Sequence, residues 1–248
     1  MWILKLGAME KHNIMSLRTA AVVFCAFVCS FALLLPSTAF ADDTKFTDNI
    51  QAIDQYSVLP SGCEICSLAS VLNAMGSNLD AKTIYDDGYV EGDGSGDMVH
   101  SYSGDAYSSS AGMPPIIAQA GNLCLKKSNI SGWAFHDATG ASMDQLITYV
   151  DKALPVLVWT TMQMSAPLMT GTVIEGYPWY TNEHCVVLYG EDGDNFLIMD
   201  PIDGLVERNK ADFTAIFDEC GQMAVVLESS GYGTEPEDSA IGALKTYD

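Results

Sequence analysis

Basic residues are scarce in this chain: 11 Lys and Arg stand against 32 Asp and Glu, a formal net charge of −21 over 248 residues. A surface so poor in cations cannot neutralise a phosphate backbone, which excludes nucleic acid as a partner. Histidine is scarcer still, with four in the whole chain. Long apolar runs are missing after residue 35, so nothing beyond the N-terminus is fit to span a bilayer. There is no internal repeat, which excludes solenoids and propellers, and no sorting motif closes the C-terminus.

What is present begins with a leader. Residues 1–19 carry Lys5, Lys11 and Arg18, residues 20–35 are an apolar stretch, and Ala39-Phe40-Ala41 ends in the small-residue pattern of a cleavage site. The expectation is a signal peptide over 1–41, cut after Ala41, and a chain secreted into the medium or held at the cell surface. Sixteen residues are short for a span, and Pro36 interrupts the run, so no stable membrane insertion is expected after cleavage. Without the leader, eight basic and 31 acidic residues remain. Such a charge serves solubility first, with a preference for basic peptide substrates as the alternative. At 48% hydrophobic residues the mature length suits one domain, residues 42–228, followed by an acidic tail over 229–248.

Residues 65–75 place Ile65, Leu68, Ala69, Leu72 and Met75 along one helical face. Ser61 followed three residues later by Glu64 has the pattern of a capping box, which predicts a helix over 63–76 with Cys63 as second residue of its first turn. There the free N–H groups and the helix dipole favour a thiolate, so Cys63 is a candidate nucleophile; a small buried apolar residue is the plain alternative. Further helices are predicted over 79–87, 114–121, 142–153 and within 206–217, and strands from Pro155 to Trp159 and over 223–227. Gly88 to Met113 reads as an irregular insertion. Its Asp93-Gly94-Ser95-Gly96-Asp97 lacks the closing glutamate of a calcium loop and is taken as solvated. Met162 to Tyr180, rich in large apolar groups, is a candidate wall of a substrate cleft.

Outside the leader only His100, His136 and His184 can supply a base. The first two lie in loop-like surroundings. His184 opens the β-prone run Cys185-Val186-Val187-Leu188-Tyr189, and Asn195 to Met199 reads as its return strand. A three-residue loop Glu191-Asp192-Gly193 would pair Gly190 with Asp194 and set His184 directly opposite Asp200, on the same face. A two-residue turn would put them on opposite faces. A carboxylate so placed fixes the tautomer of the imidazole, completing thiol, base and orienter. The backbone N–H of Cys63 and the side-chain amide of Gln55 are candidate donors to an oxyanion.

These residues resemble the C39-like cysteine peptidases of papain-like fold, relatives of the double-glycine peptidases, from about Ile50 to Leu227. The likeness is carried by Gln55, Leu59-Pro60-Ser61-Gly62-Cys63-Glu64, Ser67-Leu68-Ala69, Val71-Leu72-Asn73, Ala111-Gly112 and Pro115. It continues in Pro155-Val156-Leu157-Val158-Trp159-Thr160-Thr161, Trp179, Glu183-His184-Cys185-Val186-Val187-Leu188, Gly190, Asp200-Pro201 and Gly204. The resemblance implies an α+β fold with the active-site helix packed on an antiparallel sheet. It also implies a peptidase without cofactor or metal that acts on peptide or protein substrates. Cys63 would be nucleophile, His184 base, Asp200 orienter and Gln55 oxyanion donor, with Glu64, Trp159 and Trp179 in support. One departure is that double-glycine peptidases proper hold the glutamine closer to the cysteine and follow the cysteine with Gly, where this chain has Glu64.

Competing readings use the same residues. With Cys63 kept as a thiol, Cys66, Cys124, Cys185 and Cys220 form an even set that could make two disulfides outside the cell, in any of three pairings. Cys63 and Cys66 make a Cys-x-x-Cys, but no thioredoxin-like pattern surrounds it. A zinc set of Cys63, Cys66, His184 and Cys185 fails because adjacent strand residues point to opposite faces. A transglutaminase-like acyl transferase would share the Cys-His-Asp chemistry, and a catalytically silent peptide-binding module is the non-enzymatic alternative.

Overall fold

The computed structural model describes residues 45–90, 92 and 96–230. The leader and its cleavage site, the tail beyond residue 230 and most of Asp93 to Asp97 lie outside the described residues.

The chain enters through a 3-10 turn at Phe46–Asn49 and a single helical turn, α1 (Gln55–Val58), before the central helix α2 (Cys63–Ala74). Then come α3 (Ala81–Asp86), a small hairpin of β1 (Ser103–Asp105) and β2 (Ser109–Ala111), α4 (Pro114–Lys127), β3 (Trp133–Asp137) and α5 (Met143–Val150). The second half holds β4 (Val156–Thr161), an outer hairpin of β5 (Met169–Ile174) and β6 (Tyr177–Tyr180), then β7 (Glu183–Asp192), β8 (Asn195–Asp200) and β9 (Gly204–Asn209). It ends in α6 (Lys210–Glu219) and β10 (Ala224–Ser229). Six strands form one antiparallel sheet in the order β3-β10-β4-β7-β8-β9.

Side chains alternate across this sheet with the period of two that strands impose. Leu157, Trp159, Cys185, Val187, Met199, Val225 and Leu227 face the cluster that holds α2 and α4. Val156, Val158, Val186, Leu188, Ile198, Ala224 and Val226 face Met143 and Leu146 of α5 and Phe213 and Phe217 of α6. Covered on both faces, β4 and the start of β7 are buried throughout, which is why they read as unbroken apolar runs. The sheet with its two helical layers is an α+β architecture of the kind the sequence implies.

Helix α2 differs from the one-faced helix expected of it. Every residue from Cys63 to Leu72 is buried, because the helix runs between the sheet, α4 and the 88–113 segment. Burial of Ile65, Leu68 and Leu72 contributes about 1.5–3 kcal/mol each. The polar side chains on its other faces are paired: Ser67 Oγ donates to Cys185 O at 2.9 Å and Ser70 Oγ to Gln51 O at 2.8 Å. The expected capping box is absent. Gly62 is the N-cap, Cys63 is the first residue rather than the second, and Ser61 Oγ donates across to Ser108 O. A true capping box sits at Ser142 and Gln145, where each side chain accepts the other residue's backbone N–H.

Other boundaries shift for local reasons. Helix α4 continues six residues past the predicted end at Gly121, because that glycine lies under the Phe135 ring, 2.5 Å from where a Cβ would stand. The 88–113 segment, read as an irregular insertion, contributes Tyr102, Ala106 and Ala111 to the interior. Strands β3 and β9 lie where the sequence pattern predicts a loop and the start of a helix, and His136, expected in a loop, lies on β3 opposite Val226. Within the 162–180 stretch, β5 and β6 pair outside the main sheet with Leu168, Met169 and Val173 exposed and Tyr177 and Tyr180 buried. Among the described residues, no helix is long and apolar enough to cross a membrane.

Candidate active site

The β7–β8 hairpin turns in two residues, Gly193-Asp194, instead of three, with Asp192 paired to Asn195 and Gly190 to Leu197. That turn alone would send His184 and Asp200 to opposite faces. A bulge at Tyr189 shifts the register, so Leu188 pairs with Ile198 and Val187 with Met199. The extra residue restores the parity the turn removed. His184 and Asp200 therefore share a face, offset diagonally by two positions instead of directly opposed.

They meet there: His184 Nε2 lies 2.7 Å from Asp200 Oδ1, and both residues are buried. Asp200 Oδ1 also accepts the N–H groups of Ile202 (2.9 Å) and Asp203 (3.4 Å), and Oδ2 accepts Arg208 Nη2 at 3.4 Å. Burial pulls this carboxyl upward, but the bond and charge of His184 and the two N–H donors outweigh it and take its pKa to about 2. With an ionised carboxylate at Nε2, the proton of a neutral imidazole sits on Nε2 and Nδ1 is the free acceptor. Nδ1 is buried and has no partner.

Cys63 occupies the first position of α2, where its own N–H has no acceptor within the helix. Its thiol lies against the Cys185 backbone N–H, one residue from His184, and donates to Glu64 Oε2 at 3.3 Å. The imidazole does not hold it. Burial, then the charges of Glu64 and Glu183, push the thiol pKa well above its ordinary value, against the lowering that helix position alone suggests. Gln55 is buried; its Nε2 donates to Pro60 O at 2.9 Å and its Oε1 has no partner. The Gln55 backbone N–H donates to Pro201 O at 2.9 Å, which ties α1 to the residue after Asp200.

Glu64 is fully buried. Its Oε1 accepts Gly112 N–H at 2.7 Å, and its Oε2 accepts Tyr102 Oη at 3.2 Å together with the Cys63 thiol. Trp159 reaches this chain of bonds through Nε1, which donates to Gly112 O at 3.1 Å. Gly112 must be glycine here, since a Cβ would stand 2.8 Å from the Tyr102 ring. Trp179, on β6, is half-buried against the cluster around α2.

Three residues of this region escaped the sequence. Arg208 sits on the unanticipated β9, and Tyr102 in the segment read as irregular. Glu183 did carry a signal: it shares parity with Cys185 and Val187, the side of β7 that faces α2. Burial first, then the charge of Glu64, pushes the Glu183 carboxyl well above the usual carboxylate range. Among the described residues, the donor atoms that converge are those of Cys63, Glu64 and Glu183, within 4.8 Å of one another, and not the set of Cys63, Cys66, His184 and Cys185. Cys63, Cys66, Cys124, Cys185 and Cys220 are all buried free thiols, so the two disulfides anticipated are not formed among the described residues. Burial pushes Cys66, Cys124 and Cys220 up to about 12, which removes a reactive second thiol from the Cys-x-x-Cys.

Comparison with known proteins places this arrangement. The Peptidase_C39 like family matches residues 47–225. Among solved structures, the chain is similar to a candidate C39-like peptidase from Bacillus anthracis, with 26% identity, a TM-score of 0.60, and coverage of 73% of this chain and 95% of that one. A second likeness is to the peptidase domain of Streptococcus ComA, a bi-functional ABC transporter involved in quorum sensing, at 17% identity and a TM-score of 0.44, covering 73% of this chain and 98% of that one. No curated protein matches the chain. With a family match that spans residues 47–225 and an antiparallel sheet packed on the cysteine-bearing helix, the chain belongs to the Peptidase_C39 like family and is a cysteine peptidase of papain-like fold.

Proposed function

We propose that this protein is a secreted peptidase that cleaves peptide bonds through Cys63, His184 and Asp200. The observation that carries the reading is the buried His184–Asp200 pair at 2.7 Å, whose Nδ1 is left without a partner one residue from the backbone N–H that touches the Cys63 thiol. In the first step the thiol leaves Glu64 and gives its proton to Nδ1, and the sulfur attacks the substrate carbonyl. The Cys63 N–H and the second hydrogen of Gln55 Nε2 stabilise the oxyanion. His184 then protonates the leaving amine, a thioester forms at Cys63, and a water activated by the same imidazole hydrolyses it. Asp200, ionised above pH of about 2, keeps Nε2 protonated throughout.

The charged leader over residues 1–41, with its small-residue cleavage pattern, supports secretion. The thiol's bond to Glu64 favours a second reading, a peptide-binding module of the same fold without turnover. Mass spectrometry after brief exposure to a peptide-like fluoromethyl ketone separates the two. Adduct on Cys63 alone, lost in His184→Ala, is the expected result; absence of adduct on Cys63 would install the binding module. Amine incorporation instead of hydrolysis, read from the products, would make the enzyme a transglutaminase-like acyl transferase.

A further inference from the structure

The two glutamates beside Cys63 have no positive charge to balance them: no ion pair among the described residues includes Glu64 or Glu183. The groups that face Glu183 are Cys63 and Glu64 of α2, Tyr102, Tyr180 of β6, Cys185 of β7 and Cys220 after α6. Every one of them is neutral or negative. Two carboxylates this close in a low-dielectric interior cannot both be ionised.

Their hydrogen bonds decide which one holds the proton. Burial pushes the Glu64 carboxyl up as well, but Glu64 accepts three donors, from Gly112, Tyr102 and Cys63, which oppose that push and favour its ionised form over that of Glu183. Glu183 Oε1 is buried and accepts none. A buried oxygen with no donor belongs to a neutral acid rather than to an anion.

We propose that Glu64 and Glu183 form a one-proton carboxyl pair that positions the Cys63 thiol, with Glu64 the ionised acceptor of the S–H and Glu183 the neutral acid. The pair rests on the reading of Cys63 as nucleophile, and both glutamates are positioning residues. The thiol proton still goes to His184 Nδ1, and the pair keeps its own proton through the cycle. Its work is to limit the charge the new thiolate meets to one carboxylate. Ionisation of Glu183 at alkaline pH places a second one there and draws the proton back to sulfur.

The test compares wild type with Glu183→Gln, a near-isosteric side chain that cannot ionise, in two measurements across pH 5 to 9. The first is thermal and urea unfolding. A carboxyl that keeps its proton when folded, and releases it near pH 4.3 when unfolded, costs stability progressively as pH rises. The folding constant of Glu183→Gln relative to wild type should therefore rise about tenfold per pH unit, levelling off where the folded pair loses its proton. The second is the rate of Cys63 alkylation by iodoacetamide, whose alkaline limb should extend in Glu183→Gln. Glu64→Gln, as a second variant, removes the charge facing Glu183 and should shift the levelling-off to lower pH. A pH-independent difference in both variants would overturn the pair, and leave Cys63 catalysis standing. A pH-dependent difference with Cys63 labelling indifferent to His184 would sustain the pair and remove the catalytic reading on which its role rests.

Discussion

The two faces of β7 treat a buried carboxyl in opposite ways. On the face of His184, Asp200 has an imidazole, two N–H groups and Arg208 around it, and its pKa falls to about 2. On the face of Glu183, one residue away, the neighbours are acids, and burial pushes the pKa up. Depth is similar, at 4% and 7% exposure. Burial pushes both carboxyls upward, and the donors around Asp200 decide that it ionises all the same, while Glu183 has none to offset the push; the strand's alternation sets these two environments side by side.

The sharpest way to break this contrast is to remove the groups that link the faces. Cys63→Ala should abolish turnover in a peptidase assay, and His184→Ala should lower kcat/KM by about 10²–10⁴-fold; full activity in Cys63→Ala would end the proposed mechanism. Next in size is Gln55→Ala, predicted to lower kcat by about 10²–10³-fold with little change in KM. An equal loss in KM would make Gln55 a binding residue instead.

Asp200→Asn should leave a reduced but measurable rate, and it tests the charged face through stability. The folded carboxyl lies below its unfolded value near 3.9, so its contribution is present above that pH and lost as pH falls through about 2. Wild type should thus lose roughly 2–3 kcal/mol between pH 5 and 1 through this residue, and Asp200→Asn should show a correspondingly flatter acid limb in urea melts. Last comes Tyr102→Phe, which removes a donor to the Glu64 carboxylate and the contact of the same hydroxyl with Ser110 Oγ, and should cost about 1.5–3 kcal/mol at neutral pH. A loss several times larger would mean that Tyr102 holds the 88–113 segment in place by more than these two contacts.

Periodicity made α2, β4 and β7 legible, because each depends on a local pattern that burial only reinforces. It failed where the outcome depends on distant partners. Ser61-x-x-Glu64 and Ser142-x-x-Gln145 have the same four-residue pattern, yet only the second caps a helix. The Gly112 and Tyr102 donors that capture Glu64 arrive from some forty residues away. Strand β9 alternates half-buried and exposed residues around Glu207 and Arg208, and it reads as the start of the helix that follows. The pairing of His184 with Asp200 was legible although the register assumed for it was not. The count that mattered, turn plus bulge, sums to the parity the shorter argument required, and no propensity at Tyr189 announces a bulge.

That compensation makes spacing in the hairpin a conserved quantity in the arithmetic sense. Adding one residue to the Gly193-Asp194 turn, or erasing the bulge by deleting Tyr189, would each rotate Asp200 away from the imidazole, whereas making both changes together would cancel. Loop grafting between related hairpins should therefore exchange the whole stretch from Leu188 to Ile198 as a single cassette, since a turn transplanted without its matching irregularity carries the wrong sign.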